Sequence, residues 1–181
     1  MSLIVTITGS PSAGSRTARL AQDVGATLAA QGFEVGAINV RDLPAVDLLH
    51  AQIDSPPISA ALGLVERARG VVVCSPVYKA AYSGVLKSFL DLLPQTGLGG
   101  KVALPLMTGG TVAHVLALDY ALRPVLAALG ALHVVAGLFL LDKTVGTRAD
   151  GGLELEADLR ARLDAVLADF AASVRRLDGT G

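Results

Sequence analysis

The feature that most constrains this chain is a set of short, mainly apolar segments without a sustained apolar–polar alternation. They are Leu3-Ile4-Val5-Thr6-Ile7-Thr8, residues 33–40, Val71-Val72-Val73-Cys74, residues 101–108 and residues 132–141. A strand with one wet face alternates apolar and polar side chains. A strand that does not alternate is buried on both faces, which implies a parallel sheet covered by helices. Between these segments the spacing becomes helical: 16–31 (Leu20, Val24, Leu28, with Gly32 as the stop), 59–69, 83–93 ending at Pro94, and 113–128. A last helix is expected over about 153–176, where Leu155, Leu159, Leu163, Val166, Leu167, Phe170 and Val174 share one face. Residues 42–57 read as a loop closed by Pro56-Pro57, and Pro76 is expected to end the third strand. The order βαβαβαβαβα predicts a single α/β domain over 1–176, a three-layer sandwich whose five-stranded parallel sheet has the order 2-1-3-4-5. The tail 177–181 is expected to be disordered.

Composition removes several function classes. A net charge of −1 with no basic run argues against a nucleic-acid partner. One cysteine, Cys74, forbids an internal disulfide and a cysteine-rich zinc site, and as the end of a buried strand it reads as a small core hydrophobe. His50, His114 and His133 do not cluster at metal-ligand spacing, so no metal is expected; His133 reads as packed in its strand. Residues 124–141 are uncharged over 18 positions, the length at which a membrane helix becomes a reading. Pro124, Gly130 and His133 break that run into a helix end, a turn and a strand, so no membrane span is expected. The N-terminus shows no signal-peptide pattern, and a cytoplasmic location is the default expectation. With 52% hydrophobic and 17% charged residues, the chain carries more apolar surface than one small monomer hides, so an oligomer is expected.

In such a sheet a ligand sits beyond the carboxyl ends of the strands, near the switch point between strands 1 and 3. The loop after strand 1, residues 9–17, precedes a helix N-terminus, where free N–H groups and the helix dipole make an anion site. Ser10, Ser12, Ser15 and Thr17 add hydroxyls and Arg16 a charge. Gly9 and Gly14 match the outer glycines of a P-loop, but Ser15 stands where its lysine belongs. The dinucleotide fingerprint G-x-G-x-x-G is absent as well, so a monophosphate suits the loop best. The loop after strand 3 places Tyr78, Lys79 and Tyr82 within five residues of a chain that has only seven aromatics. A flat heterocycle packed there would find backbone N–H groups for its carbonyls. The loop after strand 4 offers Gly109 and Gly110, which let a ligand approach the backbone.

These three loops resemble those of the flavodoxin-like NAD(P)H-dependent FMN reductases. The carriers are Gly9-Ser10-Pro11, then Ser75-Pro76-Val77-Tyr78-Lys79-Ala80-Ala81-Tyr82-Ser83-Gly84, and Thr108-Gly109-Gly110-Thr111-Val112-Ala113-His114. Within that family the chain is most similar to the reductase components of two-component alkanesulfonate monooxygenases. The resemblance implies a flavodoxin-like fold, FMN and NADPH or NADH as cofactors, and hydride transfer to flavin N5. Reduced FMN would be supplied to a partner monooxygenase, in sulfonate-sulfur assimilation. It implies FMN contacts from Ser10, Ser12, Ser15, Arg16, Thr17, Pro76, Val77, Tyr78, Lys79, Ser83, Gly109, Gly110 and Thr111. Lys79 is a candidate stabiliser of charge near N1 of the ring, and no general base is required because the flavin carries the chemistry. Some family members carry an inserted tyrosine that makes a π-bulge at a tetramer interface. Tyr120 in Asp119-Tyr120-Ala121-Leu122 matches it, so a homotetramer is expected, with a dimer as the smaller alternative, joined by the outer faces of helices 83–93 and 113–128. Two other readings stay open: an enzyme that retains FMN and reduces quinones, azo dyes or metal oxyanions, and a non-enzymatic flavodoxin-type electron carrier.

Overall fold

The computed structural model describes residues 1–12 and 14–179. The sheet is built from β1 (Leu3–Thr8), β2 (Glu34–Asn39), β3 (Gly70–Tyr78) and β5 (Val102–Gly109). A last position is shared by β6 (His133–Val134) and β7 (Leu138–Leu141). All of these pair in parallel, in the spatial order β2-β1-β3-β5 followed by β6 and β7, both on β5. This is the expected 2-1-3-4-5 arrangement with its fifth place divided in two. Successive side chains of a strand point to opposite faces. Val5 and Ile7 of β1 and Val71 and Val73 of β3 therefore enter one core with α3 (Pro56–Arg67), α4 (Gly84–Leu90) and α5 (Arg123–Ala128). Ile4, Val72 and Cys74 enter the other core with α1 (Arg16–Ala30) and α6 (Ala157–Asp178). Two cores explain why the strands carry no polar alternation.

Several boundaries differ from expectation, each for a local reason. Pro76 does not end its strand: β3 runs in register with β5 to Pro76↔Thr108 and on to Tyr78. The Cys74 carbonyl accepts from Gly9 N–H, so Pro76, two residues on, faces the β1 side just past the end of β1, where no ladder donor is needed. The chain then folds back through a two-residue turn at Lys79 and Ala80 into β4 (Ala81–Tyr82), antiparallel to β3. Both turn residues have positive φ, 50° and 63°, the geometry that hairpin turns demand and that non-glycine residues adopt at a cost. The fifth strand breaks for a related reason. Leu132 and Val135 donate to the carbonyls of Lys101 and Ala103. By alternation Pro105 turns its missing N–H to that same edge, and a Cβ on Gly137 would lie 2.3 Å from the Pro105 carbonyl oxygen. His133, expected to be packed, is exposed on this edge.

The loop expected over 42–57 contains α2 (Ala45–Leu49). The helix expected from 153 begins later. Residues Leu153–Leu155 form β9, paired antiparallel with β8 (Val145–Thr147) in a separate hairpin. The helix expected over 113–128 is composite: a 3-10 turn at Val112–His114, a π-helical turn at Leu118–Leu122 closed by Arg123 N–H on the Leu118 carbonyl, then α5. Of the expected tail, α6 takes residues 177 and 178, while Thr180 and Gly181 lie outside the described residues. No helix among the described residues is long and apolar enough to cross a membrane.

Candidate functional site

A cleft of about 420 Å³ opens at the carboxyl ends of the strands. Three segments form its walls. The first loop and the first turns of α1 supply Ser10, Ser12, Ser15, Arg16, Thr17 and Arg19; β3 supplies Pro76, Val77 and Tyr78; Thr108 and Asp142 close it from β5 and the end of β7. Loops far apart in sequence thus meet at the switch point between β1 and β3, where the topology places a ligand.

The first loop is shaped by its own side chains. Buried Ser10 accepts from Ser12 N–H at 3.3 Å, which folds the loop back on itself. Ser15 caps α1, accepting from Ala18 N–H at 3.0 Å. Helix geometry leaves the N–H groups of the first turn without intrahelical acceptors, so those of Arg16 and Thr17 remain at the cleft. Thr17 is buried and shares a 2.7 Å hydrogen bond with Thr108, tying this helix end to β5. Arg16 donates from Nε to the Val145 carbonyl at 3.3 Å, which joins it to the β8–β9 hairpin. Arg19 donates from Nη1 to the Gly14 carbonyl at 2.8 Å, and its Nε is buried without a partner among the described residues. The second buried side-chain nitrogen in that condition is Nδ1 of His114, in the third loop. Ala13 lies outside the described residues.

The ring side of the cleft is more open. Tyr78 is 50% exposed, and Lys79 and Thr111 are exposed beside it. A Cβ built on Gly110 would meet only Asp142 Oδ2, at 3.7 Å. Two residues expected at the ligand also hold the scaffold. Ser83 is buried, its hydroxyl donating to the Gly9 carbonyl and accepting from Leu86 N–H at the start of α4, so it stitches the first loop to the second. Gly109 is a glycine for packing, since a Cβ there would lie 2.9 Å from the Phe139 ring. Cys74 is fully buried; burial pushes its thiol up to about 12, which leaves it a core residue without nucleophilic use. No group of metal-ligating residues occurs among the described residues.

Sequence reasoning missed Arg19 and Asp142. Arg19 follows Arg16 by three positions, a spacing that places both on one helical face. Asp142 ends the fifth strand, and the rule that ligands gather at strand carboxyl ends points to it. The groups present fit a ligand that carries a phosphate at one end and a flat ring at the other: N–H groups, hydroxyls and guanidinium at the first loop, and a small-residue gap with exposed backbone at the third.

A family model described as NADPH-dependent FMN reductase matches residues 2–146. An FMN reductase (NADPH) of Pseudomonas putida is 45% identical over 96% of this chain and 89% of its own length. An FMN reductase (NADPH) of Escherichia coli is 43% identical over 97% of this chain and 91% of its own length. Among solved structures, an NADH:FMN oxidoreductase in its apo form superposes with a TM-score of 0.88 at 41% identity, covering 96% of this chain and 90% of that one.

Proposed function

The chain belongs to the NADPH-dependent FMN reductase family, and from that membership we propose that it treats FMN as a passing substrate, reduced here and released to a separate flavin-dependent monooxygenase. It is an NAD(P)H:FMN oxidoreductase of flavodoxin-like fold. The flavin supplies the redox chemistry, accepting hydride from the nicotinamide at N5. The chain's own residues bind and orient. N–H groups of Arg16 and Thr17, hydroxyls of Ser12 and Ser15 and the Arg16 guanidinium receive the phosphate. Backbone from Pro76 to Lys79 and from Gly109 to Thr111 brackets the ring, and Lys79 offers a positive charge where negative charge develops. The observation that supports release is the open third loop: among the described residues outside its chain neighbours, only Asp142 comes within 4 Å of a Cβ built on Gly110, and Thr111 beside it is exposed. Use of the reduced flavin in sulfonate-sulfur assimilation belongs to this proposal through the family resemblance. Protein as purified is expected to be colourless and to oxidise NADPH only when FMN is added. Retained yellow flavin with turnover indifferent to added FMN would overturn the release reading.

Arg16→Ala separates the phosphate end from the ring end. A hydrogen bond to a charged group contributes about 1.5–3 kcal/mol, roughly 10- to 100-fold in affinity. FMN binding should weaken by that factor while riboflavin binding stays near wild type, as titration of intrinsic flavin fluorescence reports. Equal losses for both would rule out the assignment.

An oligomer built on the 112–120 segment is part of the same proposal. Val112, Val115, Leu116 and Tyr120 are exposed there, Tyr120 to 78%, although such side chains are ordinarily covered. A homotetramer using this ridge buries them, and the π-helical turn presents Tyr120 outward. The outer side of α4 contributes less, with the Lys87–Asp91 ion pair on its surface. In sedimentation velocity Tyr120→Ala should shift the assembly to a smaller species; a monomeric wild-type protein would overturn the interface.

A further inference from the structure

We propose that Asp142 is the acceptor for the hydroxylated carbon chain that joins the ring of the flavin to its phosphate. The inference rests on the FMN reading above and adds a residue and a chemical preference to it.

Position argues first. β5 and β7 pair in parallel with Gly109 opposite Leu141, so the residues that follow, Gly110 and Asp142, emerge side by side. Asp142 Oδ2 lies 3.7 Å from where a Cβ on Gly110 would stand, which places the carboxylate at the ring loop. The same residue lines the cleft that Ser12, Ser15, Arg16 and Thr17 also line, so it faces the space the phosphate loop faces. A carboxylate beside the ring loop that also lines the cleft of the phosphate loop sits between the two, where the connecting chain of a ring-and-phosphate ligand passes.

Chemistry argues second. An ionised carboxylate only accepts hydrogen bonds, and beside an anion receptor it repels phosphate. Its complement in such a cleft is a neutral donor, and a run of hydroxyls is that donor. Nothing within the protein claims this carboxylate among the described residues: no ion pair or side-chain hydrogen bond to it occurs. Its backbone is nonetheless fixed. Asp142 opens a 3-10 turn (Asp142–Thr144) in which Thr144 Oγ1 donates to the Leu141 carbonyl at 2.8 Å. The next residue, Val145, receives Arg16 Nε from the phosphate loop. The turn that presents the carboxylate is thereby locked to the loop that receives the phosphate.

The test compares dissociation constants of FMN, riboflavin and lumiflavin, which has the ring alone, for wild type, Asp142→Asn and Asp142→Ala. Asp142→Ala should weaken FMN and riboflavin alike, by about 10-fold or more, the value of a hydrogen bond to a charged acceptor. Lumiflavin should bind as to wild type. Asp142→Asn keeps one carbonyl acceptor and should fall between. An equal loss for lumiflavin would make Asp142 a ring contact and overturn the proposal. So would tighter FMN binding in Asp142→Ala, which would mean that repulsion of phosphate dominates. A raised KM for NADPH with unchanged flavin affinities would assign the carboxylate to the nicotinamide nucleotide and equally overturn it. Failure of wild-type protein to bind any flavin would instead bring down the FMN reading itself.

Discussion

Gly110→Val should fold with a melting temperature close to wild type and lose about 99% of FMN reductase activity. The fold has room for the change. Gly110 is not among the glycines with positive φ, and a Cβ there meets only the far end of the Asp142 side chain. Surface substitutions of this kind shift stability by about 0.5 kcal/mol or less. The ligand has no such room. The valine projects into the gap through which a ring or a nicotinamide approaches the third loop, and displacing reacting groups by about 1 Å costs roughly 100-fold in rate. Gly109→Val is the contrasting control: its side chain would meet the Phe139 ring and force it to shift, so it should lower the melting temperature where Gly110→Val does not. Thermal melts together with FMN-dependent NADPH oxidation separate the two outcomes. Wild-type turnover in a folded Gly110→Val protein would remove the third loop from the ring site.

The largest effect on stability is expected from Gly9→Ala. A Cβ at Gly9 would stand 2.4 Å from Leu86 Cβ and 3.0 Å from Leu86 Cα, so relief requires moving α4 rather than turning a side chain. Overpacking of this severity costs about 3 kcal/mol. For a domain of this size that lowers the melting temperature by roughly 6–12 °C. The displacement also stretches the Ser83 hydrogen bond to the Gly9 carbonyl, which holds the first and second loops in register. FMN affinity should therefore fall along with the urea midpoint. An unchanged midpoint would show that α4 is looser on β1 than the packing implies.

What the amino-acid sequence made legible follows from what each residue type can signal. The mainly apolar runs at 3–8, 71–74 and 101–108 announce strands buried twice, and from their number and alternation with helices the sheet order follows. Pro76 misleads because the missing N–H matters only if a neighbour needs it, and which edge it faces is a property of the ladder. Leu153 and Leu155 mislead because they extend the spacing of α6 while sitting in a two-strand hairpin. The break at Gly137 comes from Pro105 on the adjacent strand, a cause that no local window contains. Of the candidate site, the place of the first loop at the cleft was readable from its position between β1 and a helix. The inward turn of Ser83 was not, since a serine that contacts a ligand and one that caps α4 have the same spelling. Asp142 escaped because it carries no motif; only the pairing of β7 with β5 brings it to the cleft.

The bond from Arg16 to the Val145 carbonyl spans 129 positions, nearly the whole matched family region. On the ribosome, at about 5–20 residues per second, the first loop therefore waits on the order of ten seconds for the segment that completes its cleft. A nascent chain that ends before Asp142 has the walls from residues 10–19, 76–78 and Thr108 but lacks the carboxylate that closes them and the Val145 carbonyl that holds Arg16. If flavin binds this cleft as proposed, the complete site forms only once the fifth place of the sheet is filled. The remaining residues, including α6, then finish the face that packs on α1 without lining the cleft.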